Sequence, residues 1–219
     1  MSKIDYEKAI YAQRLLSHMV KVEHLEINRN SIIGGVDVSY SGDSGIAAYV
    51  SMQYGSIEPS EIKYARVSKL PPYIPGLLYL REVPVISKIF HQINRKPDVL
   101  LVNGHGLAHP RKMGLASYIG VIFNIPTIGV ARRLLYGQID WSSDLPLIIV
   151  DNEPVGTVLT TESNNKIYIS IGHRVTLNDA IKVVKENIFK LNLPAPIWYA
   201  DKLSRKIAKK KNEEINSWI

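Results

Sequence analysis

The chain has no cysteine at all. That excludes a disulfide framework and any thiolate-bound metal centre, and it fits an intracellular protein. No apolar run is long enough to cross a bilayer, so no membrane anchor is expected. The first residues, MSKIDYEKAI, carry acidic groups and lack the apolar core of a signal peptide, which points to the cytoplasm. Acidic residues are also the minority: 20 Asp plus Glu stand against 27 Lys plus Arg, giving a net charge of +7. A basic balance of this size favours a polyanionic partner such as nucleic acid. Internal repeats, low-complexity linkers and breaks in composition are absent too. The 219 residues therefore read as one domain with enough apolar side chains, 46%, to fill a core.

What is present has a clear texture. Ile10, Leu15, Leu16, Met19, Val22 and Leu25 recur at helical spacing, which predicts a helix over 3–27. Three β-branched and aromatic segments follow, at 31–40, 45–54 and 61–69, separated by Gly-rich turns. They predict an antiparallel meander. Pro71, Pro72 and Pro75 then stiffen a segment that can be neither helix nor central strand. Beyond it, helical patterns at 78–94 and 112–124 alternate with short, continuous apolar runs, DVLLVNG (98–104) and PTIGV (126–130), of the kind that form buried parallel strands. LPLIIV, PVGTVLTT and KIYISIG add strands, and helices are expected at 176–191 and 202–218. This order describes an α/β domain with a mixed central sheet.

Chemistry in such a sheet gathers at strand ends. Asp37 lies between Val36 and Val38, where a carboxylate is costly unless it is hydrogen-bonded or holds a cation. Glu82 sits in the first turn of a helix, a position the helix dipole favours by itself. Asn103 ends the DVLLVN strand and opens Asn-Gly-His-Gly, which serves equally as a turn. Gly104, Gly106 and Gly114 admit close backbone approach, and His105 and His109 flank the loop. His173 follows a later strand. Arg111, Lys112, Arg132 and Arg133 suit phosphates. The six Lys and Arg between Lys202 and Lys211 read as a solvated helix face.

Taken singly these signals are weak, but their order is distinctive. The blocks PPYIPGLLYLREVP, GHGLAHPRKMGLAS, PTIGVA, ISIGHRV and ADKLSRK, spread between about Gly34 and Ser204, resemble the endonuclease V family, nucleases of deaminated purines. The resemblance implies a ribonuclease H-like fold: a mixed central sheet with helices on both faces. It implies Mg²⁺, with Mn²⁺ as a substitute, and DNA containing deoxyinosine as the partner, with RNA as an alternative. The cut would fall one nucleotide 3′ to inosine, leaving 3′-hydroxyl and 5′-phosphate ends, as a step of DNA repair. The net charge by itself suggests a monomer on DNA. Asp37, Glu82 and the residue at 103 would form the metal site, with His173 beside it. Tyr73, framed by Pro72, Ile74 and Pro75, would be a wedge that fills the gap left by the extruded base. Gly76, Leu78, Gly104 and Leu115 would read hypoxanthine through the main chain. His109, Arg111, Lys112 and Arg132 would contact the strand.

Two positions depart from the family pattern. Asn103 stands where the resemblance implies a ligating aspartate, so a charge is missing from the metal site. An aspartate exchanged so that substrate is held uncut explains this, as does a natural relative that cuts weakly or only binds inosine. The near-isosteric exchange favours the first. Arg132 stands where Lys is usual, which suits a phosphate contact but not proton transfer.

Overall fold

Along the first strand, Gly35, Asp37 and Ser39 alternate with Val36, Val38 and Tyr40, and this two-residue period sends them into two different layers. The computed structural model describes residues 5–209. Strands β1 (Ile32–Ser41), β2 (Ser44–Gln53) and β3 (Pro59–Val67) form the expected antiparallel meander, with Asp37 opposite Ala48. Strands β4 (Val99–Asn103) and β5 (Thr127–Ala131) run parallel to β1 and lie in the middle of the sheet, which explains their unbroken apolar sequence. Strands β6 (Gln138–Asp140), β7 (Leu147–Val150), β8 (Glu153–Thr160) and β9 (Lys166–His173) complete one nine-stranded sheet in the order β3-β2-β1-β4-β5-β9-β8-β7-β6.

Helices cover both faces. On one face α2 (Tyr79–Phe90) and α3 (Leu115–Phe123) pack on Val36, Val38, Leu100 and Val102, and α1 (Tyr6–Ser17) adds Ala9. On the other, α4 (Leu177–Ile188) and α5 (Ala195–Lys209) meet Ile33, Val99, Leu101 and the β2 residues Ala48 and Val50. Among the described residues no helix is long and apolar enough to cross a membrane.

Three boundaries differ from expectation. The first helix stops at Ser17 rather than near residue 27. Downstream, tertiary partners take over from helical hydrogen bonds: the Lys21 N–H donates to His173 Nδ1, the Arg174 N–H to the Lys21 carbonyl, and the Leu25 N–H to Asp179. Val20 and Leu25 thus pack on the core from an irregular segment, while Met19 and Val22 stay exposed. The last helix begins at Ala195, because Pro196 in the first turn lacks only an N–H that would be unpaired anyway. Its expected end, beyond residue 209, lies outside the described residues. The short β6 has too few residues for a pattern to show.

Helix α5 approaches β1 so closely that a Cβ on Gly35 would collide with the backbone of Pro196 and Ile197. Backbone cannot swing aside as a side chain can. Gly35→Ala should therefore destabilise the protein by about 2–3 kcal/mol, the upper range for overpacking. Thermal unfolding checks this; an unchanged melting temperature would show that α5 is not seated on β1 as described.

Candidate active site

Parallel pairing of Val36 with Val102 brings the next residues, Asp37 and Asn103, side by side at the carboxyl ends of β1 and β4. The Asn103 side-chain amide donates a hydrogen bond to Asp37 Oδ1. The Ser204 hydroxyl, from α5, donates to Asp37 Oδ2 at 2.7 Å, and Ser39 lies 2.8 Å from the same hydroxyl. Glu82 arrives from the opposite layer, at the start of α2, and Tyr40 donates to its Oε1 at 2.7 Å. The Arg81 guanidinium stacks over the Tyr40 ring at 4.3 Å.

Both carboxyls are buried. Burial raises the pKa of Asp37, offset in part by the Ser204 and Asn103 hydrogen bonds and reinforced by the nearby charge of Asp201. Burial pushes Glu82 up to about 8, with the Tyr40 hydrogen bond opposing and Asp37 reinforcing. Neither carboxylate has a Lys, Arg or His within ion-pair distance among the described residues. Asp201 does: Arg132 reaches it at 3.0 Å and Arg205 at 2.6 Å.

This donor set suits a hard divalent cation, which would stabilise both buried carboxylates beyond what the more distant charges of Arg205 and Arg81 supply. Asp37 and Glu82 would hold it, with Asp201 at hand. Among the described residues no three His, Asp, Glu or Cys side chains converge on one point, because position 103 offers a neutral amide and Asp201 is turned to its arginines. The amide donates to Asp37 where a cation would otherwise sit, so a metal must displace that hydrogen bond.

Beside this cluster opens a cavity of about 300 Å³ whose walls include Tyr73, Gly76, Leu78, Asn103, Gly104 and Leu115. The structure thus joins the wedge segment, the expected base-reading backbone and the strand end in one site. Tyr73 is 57% exposed at the rim, while Ile74 packs against the α2–α3 core and anchors it. Pro72 and Pro75 flank them, exposed. His109 donates from Nε2 to the Gly76 carbonyl at 3.1 Å and accepts the Arg111 N–H at Nδ1, so it is neutral. Burial and the adjacent Arg111 lower its pKa to about 4. His105 donates to the Arg133 carbonyl at 2.8 Å and tethers the loop after β4 to the loop after β5.

Other expected residues lie elsewhere or are engaged. His173 is not beside the carboxylates. It pairs with Thr127 at the start of β5, whereas Asn103 pairs with Val130 near its end. Its Nδ1 accepts from Lys21, and burial and Arg174 lower its pKa. The antiparallel direction of β9 puts Gly-His-Arg at the wrong end of the sheet. Lys112 bonds Glu153 at 2.7 Å and Asp151 at 3.3 Å, and Arg132 keeps 45% of its side chain exposed. Asp201 and Ser204 were missed. Their spacing of three within ADKLSRK puts both on one helix face, yet the surrounding Lys and Arg read as a solvent face.

A family model, Endonuclease V, matches residues 14–202. An endonuclease V of Desulfurococcus amylolyticus is 39% identical over 209 residues, covering 92% of this chain and 94% of that protein. The chain belongs to the endonuclease V family. It is thus an endonuclease by family, and its fold agrees. The crystal structure of the Streptomyces avermitilis endonuclease V superposes with a TM-score of 0.87 at 29% identity, covering 94% of each chain. The Ciona intestinalis endonuclease V, in complex with a 24mer DNA containing an inosine followed by a ribo-adenosine, superposes with a TM-score of 0.81 at 26% identity, covering 94% of this chain and 99% of that one. The mixed nine-stranded sheet is therefore the endonuclease V sheet; Asp37, Tyr40, Glu82, Asn103 and Asp201 lie within the matched region, and Ser204 lies just past it.

The raised pKa of Glu82 makes a sign-definite prediction. The folded state holds this proton between about 4.5 and about 8, where the unfolded chain releases it. Stability present below the lower value is therefore lost as pH rises through the window. In metal-free protein the melting temperature should fall over this range, and Glu82→Gln should flatten the fall. An equally steep fall in that variant would assign the proton to another group.

Proposed function

We propose that this endonuclease V recognises inosine in DNA and hydrolyses the phosphodiester one nucleotide 3′ to it, beginning the repair of deaminated adenine. The observation that carries this reading is the adjacency of a base-sized cavity, an exposed aromatic rim residue and a pair of buried carboxylates at one strand end. The DNA complex of the Ciona intestinalis relative supports inosine as the base.

Water's oxygen joins phosphorus, the P–O3′ bond breaks, and O3′ leaves with a proton. The products carry 3′-hydroxyl and 5′-phosphate ends. Mg²⁺, or Mn²⁺ in its place, would neutralise the charge that builds on phosphorus and lower the pKa of water. Asp37 and Glu82, oriented by the Ser204 and Tyr40 hydroxyls, would hold the cation. Arg132, steadied by Asp201, offers its fork to a phosphate oxygen. Tyr73 enters the duplex on a segment stiffened by Pro71, Pro72 and Pro75, and its ring replaces the stacking of the base that leaves. Gly76, Leu78, Gly104 and Leu115 line the cavity that receives that base, and their main chain can pair with its edge. Asn103 contributes no charge, so metal affinity and rate are lower than a carboxylate would give.

The test compares this chain with Asn103→Asp on duplexes carrying one inosine, with Mg²⁺ and with chelator, alongside a matched inosine RNA. Asn103→Asp should cut DNA one nucleotide 3′ to inosine about 10- to 100-fold faster than this chain, the range typical of lost metal-site groups. The chelator should abolish both activities. Binding without cleavage by either protein would make this an inosine reader, and faster cutting of RNA would overturn the choice of DNA.

A further inference from the structure

Gln13 projects from α1 into the cavity wall with only 1% exposure, an unusual position for an amide unless every polar atom is used. All are. Its Nε2 donates to the Gly76 carbonyl at 3.1 Å and to the Met113 carbonyl at 2.9 Å, and its Oε1 accepts from Arg111 Nε at 2.8 Å. Gly76 closes the wedge segment and Met113 precedes α3, so one side chain spans two walls of the cavity.

The Gly76 carbonyl is the focus. Three donors converge on it: Gln13 Nε2, His109 Nε2 at 3.1 Å and Arg111 Nη2 at 2.7 Å. Gly76 has φ of +77°, which glycine alone adopts without strain, and a Cβ there would lie 2.7 Å from Arg111 Nη2. The backbone is thus bent to present its carbonyl to this cluster. Helix α1 has a second tie to the same region, where the Tyr79 hydroxyl donates to the Ala9 carbonyl at 3.1 Å.

We propose that Gln13, acting with Arg111, is the brace of the Tyr73 wedge: a positioning residue that fixes the loop so that the ring cannot retreat when it displaces a base. Resting on the functional reading above, the inference adds a part for α1 in inosine selectivity, through Tyr73 and not through contact with substrate. A wedge does its work by not yielding. The prolines stiffen the segment internally, but only an external tie holds its base against recoil. A carbonyl with three donors, one of them a guanidinium, provides it. The Gln13 side chain itself is buried, and its bond to Met113 is shielded from water.

The test is a double-mutant cycle read by binding. Gln13→Met keeps length and apolar packing while removing all three hydrogen bonds of the amide. Fluorescence anisotropy gives the affinity ratio for an inosine duplex over the same duplex with adenine. The ratio is measured for the unmodified chain, Gln13→Met, Tyr73→Ala and the double variant. Gln13→Met should lose about tenfold in the ratio, equivalent to roughly 1.4 kcal/mol. In the Tyr73→Ala background it should change the ratio less than about twofold, because no wedge remains to brace. Arg111→Lys, which keeps the charge but not the fork, should repeat the pattern and guards against a Gln13 variant that fails to fold. An unchanged ratio in Gln13→Met, or a full further loss in the double variant, would overturn the brace while leaving inosine recognition intact. An unmodified chain that does not prefer inosine would instead overturn the functional reading, and the brace with it.

Discussion

Two buried carboxyl groups, neither with a Lys, Arg or His within ion-pair distance among the described residues, are the constraint around which this molecule is arranged. Asp37 is fixed by its place in a central strand, and Glu82 by the first turn of α2 from the opposite layer. Each retains one or two hydrogen bonds, from Ser204 and Asn103 or from Tyr40, and burial still lifts both pKa values. Such a pair is unfavourable for folding alone, since apolar side chains in the same places would stabilise more. On the proposed function, a bound cation would offset that cost. The close seating of α5 against Gly35 belongs to the same arrangement, since it delivers Ser204 and Asp201 to Asp37.

On the proposed function, recognition and chemistry share one stretch of chain. Asn103 touches Asp37, and the next residue, Gly104, lines the cavity, as do Gly114 and Leu115 at the start of α3. On the proposed function, this adjacency fixes the offset between the base that is read and the phosphate that is cut. The His105 tether to the Arg133 carbonyl ties the same loop to the segment carrying Arg132. The site is thereby held from three sides, with little left to flexible side chains.

The meander and the central parallel strands were legible in the sequence, because β-branched and aromatic segments between Gly-rich turns mark consecutive strands and unbroken apolar runs mark strands buried on both faces. Asp37, Glu82, Asn103 and the Pro-Tyr-Ile-Pro segment were legible as a set only through their order along the chain, since each has an ordinary structural explanation. What was hidden depends on long-range placement. His173 ends a strand, where active-site residues often lie, but that strand is antiparallel and ends at the opposite end of the sheet from the carboxylates. Asp201 and Ser204 sit on a helix whose charged residues read as solvent-facing, and the closeness of α5 to β1 is encoded by Gly35 at the other end of the chain. Gln13 carries no signal of its own within the helical pattern of α1. Its burial follows from partners nearly a hundred residues away.

The central claim is that the buried carboxyls form a cation site, and it is tested most directly by calorimetric titration of metal-free protein with Mn²⁺ near neutral pH in buffers of different ionisation enthalpy. With Glu82 at about 8, the carboxyl is mostly protonated there and must lose its proton to become a ligand. Binding at one site with release of about one proton, lost in Glu82→Gln, is the result the account predicts. Binding without proton release, or binding unaffected by Glu82→Gln, would place the cation elsewhere and contradict it.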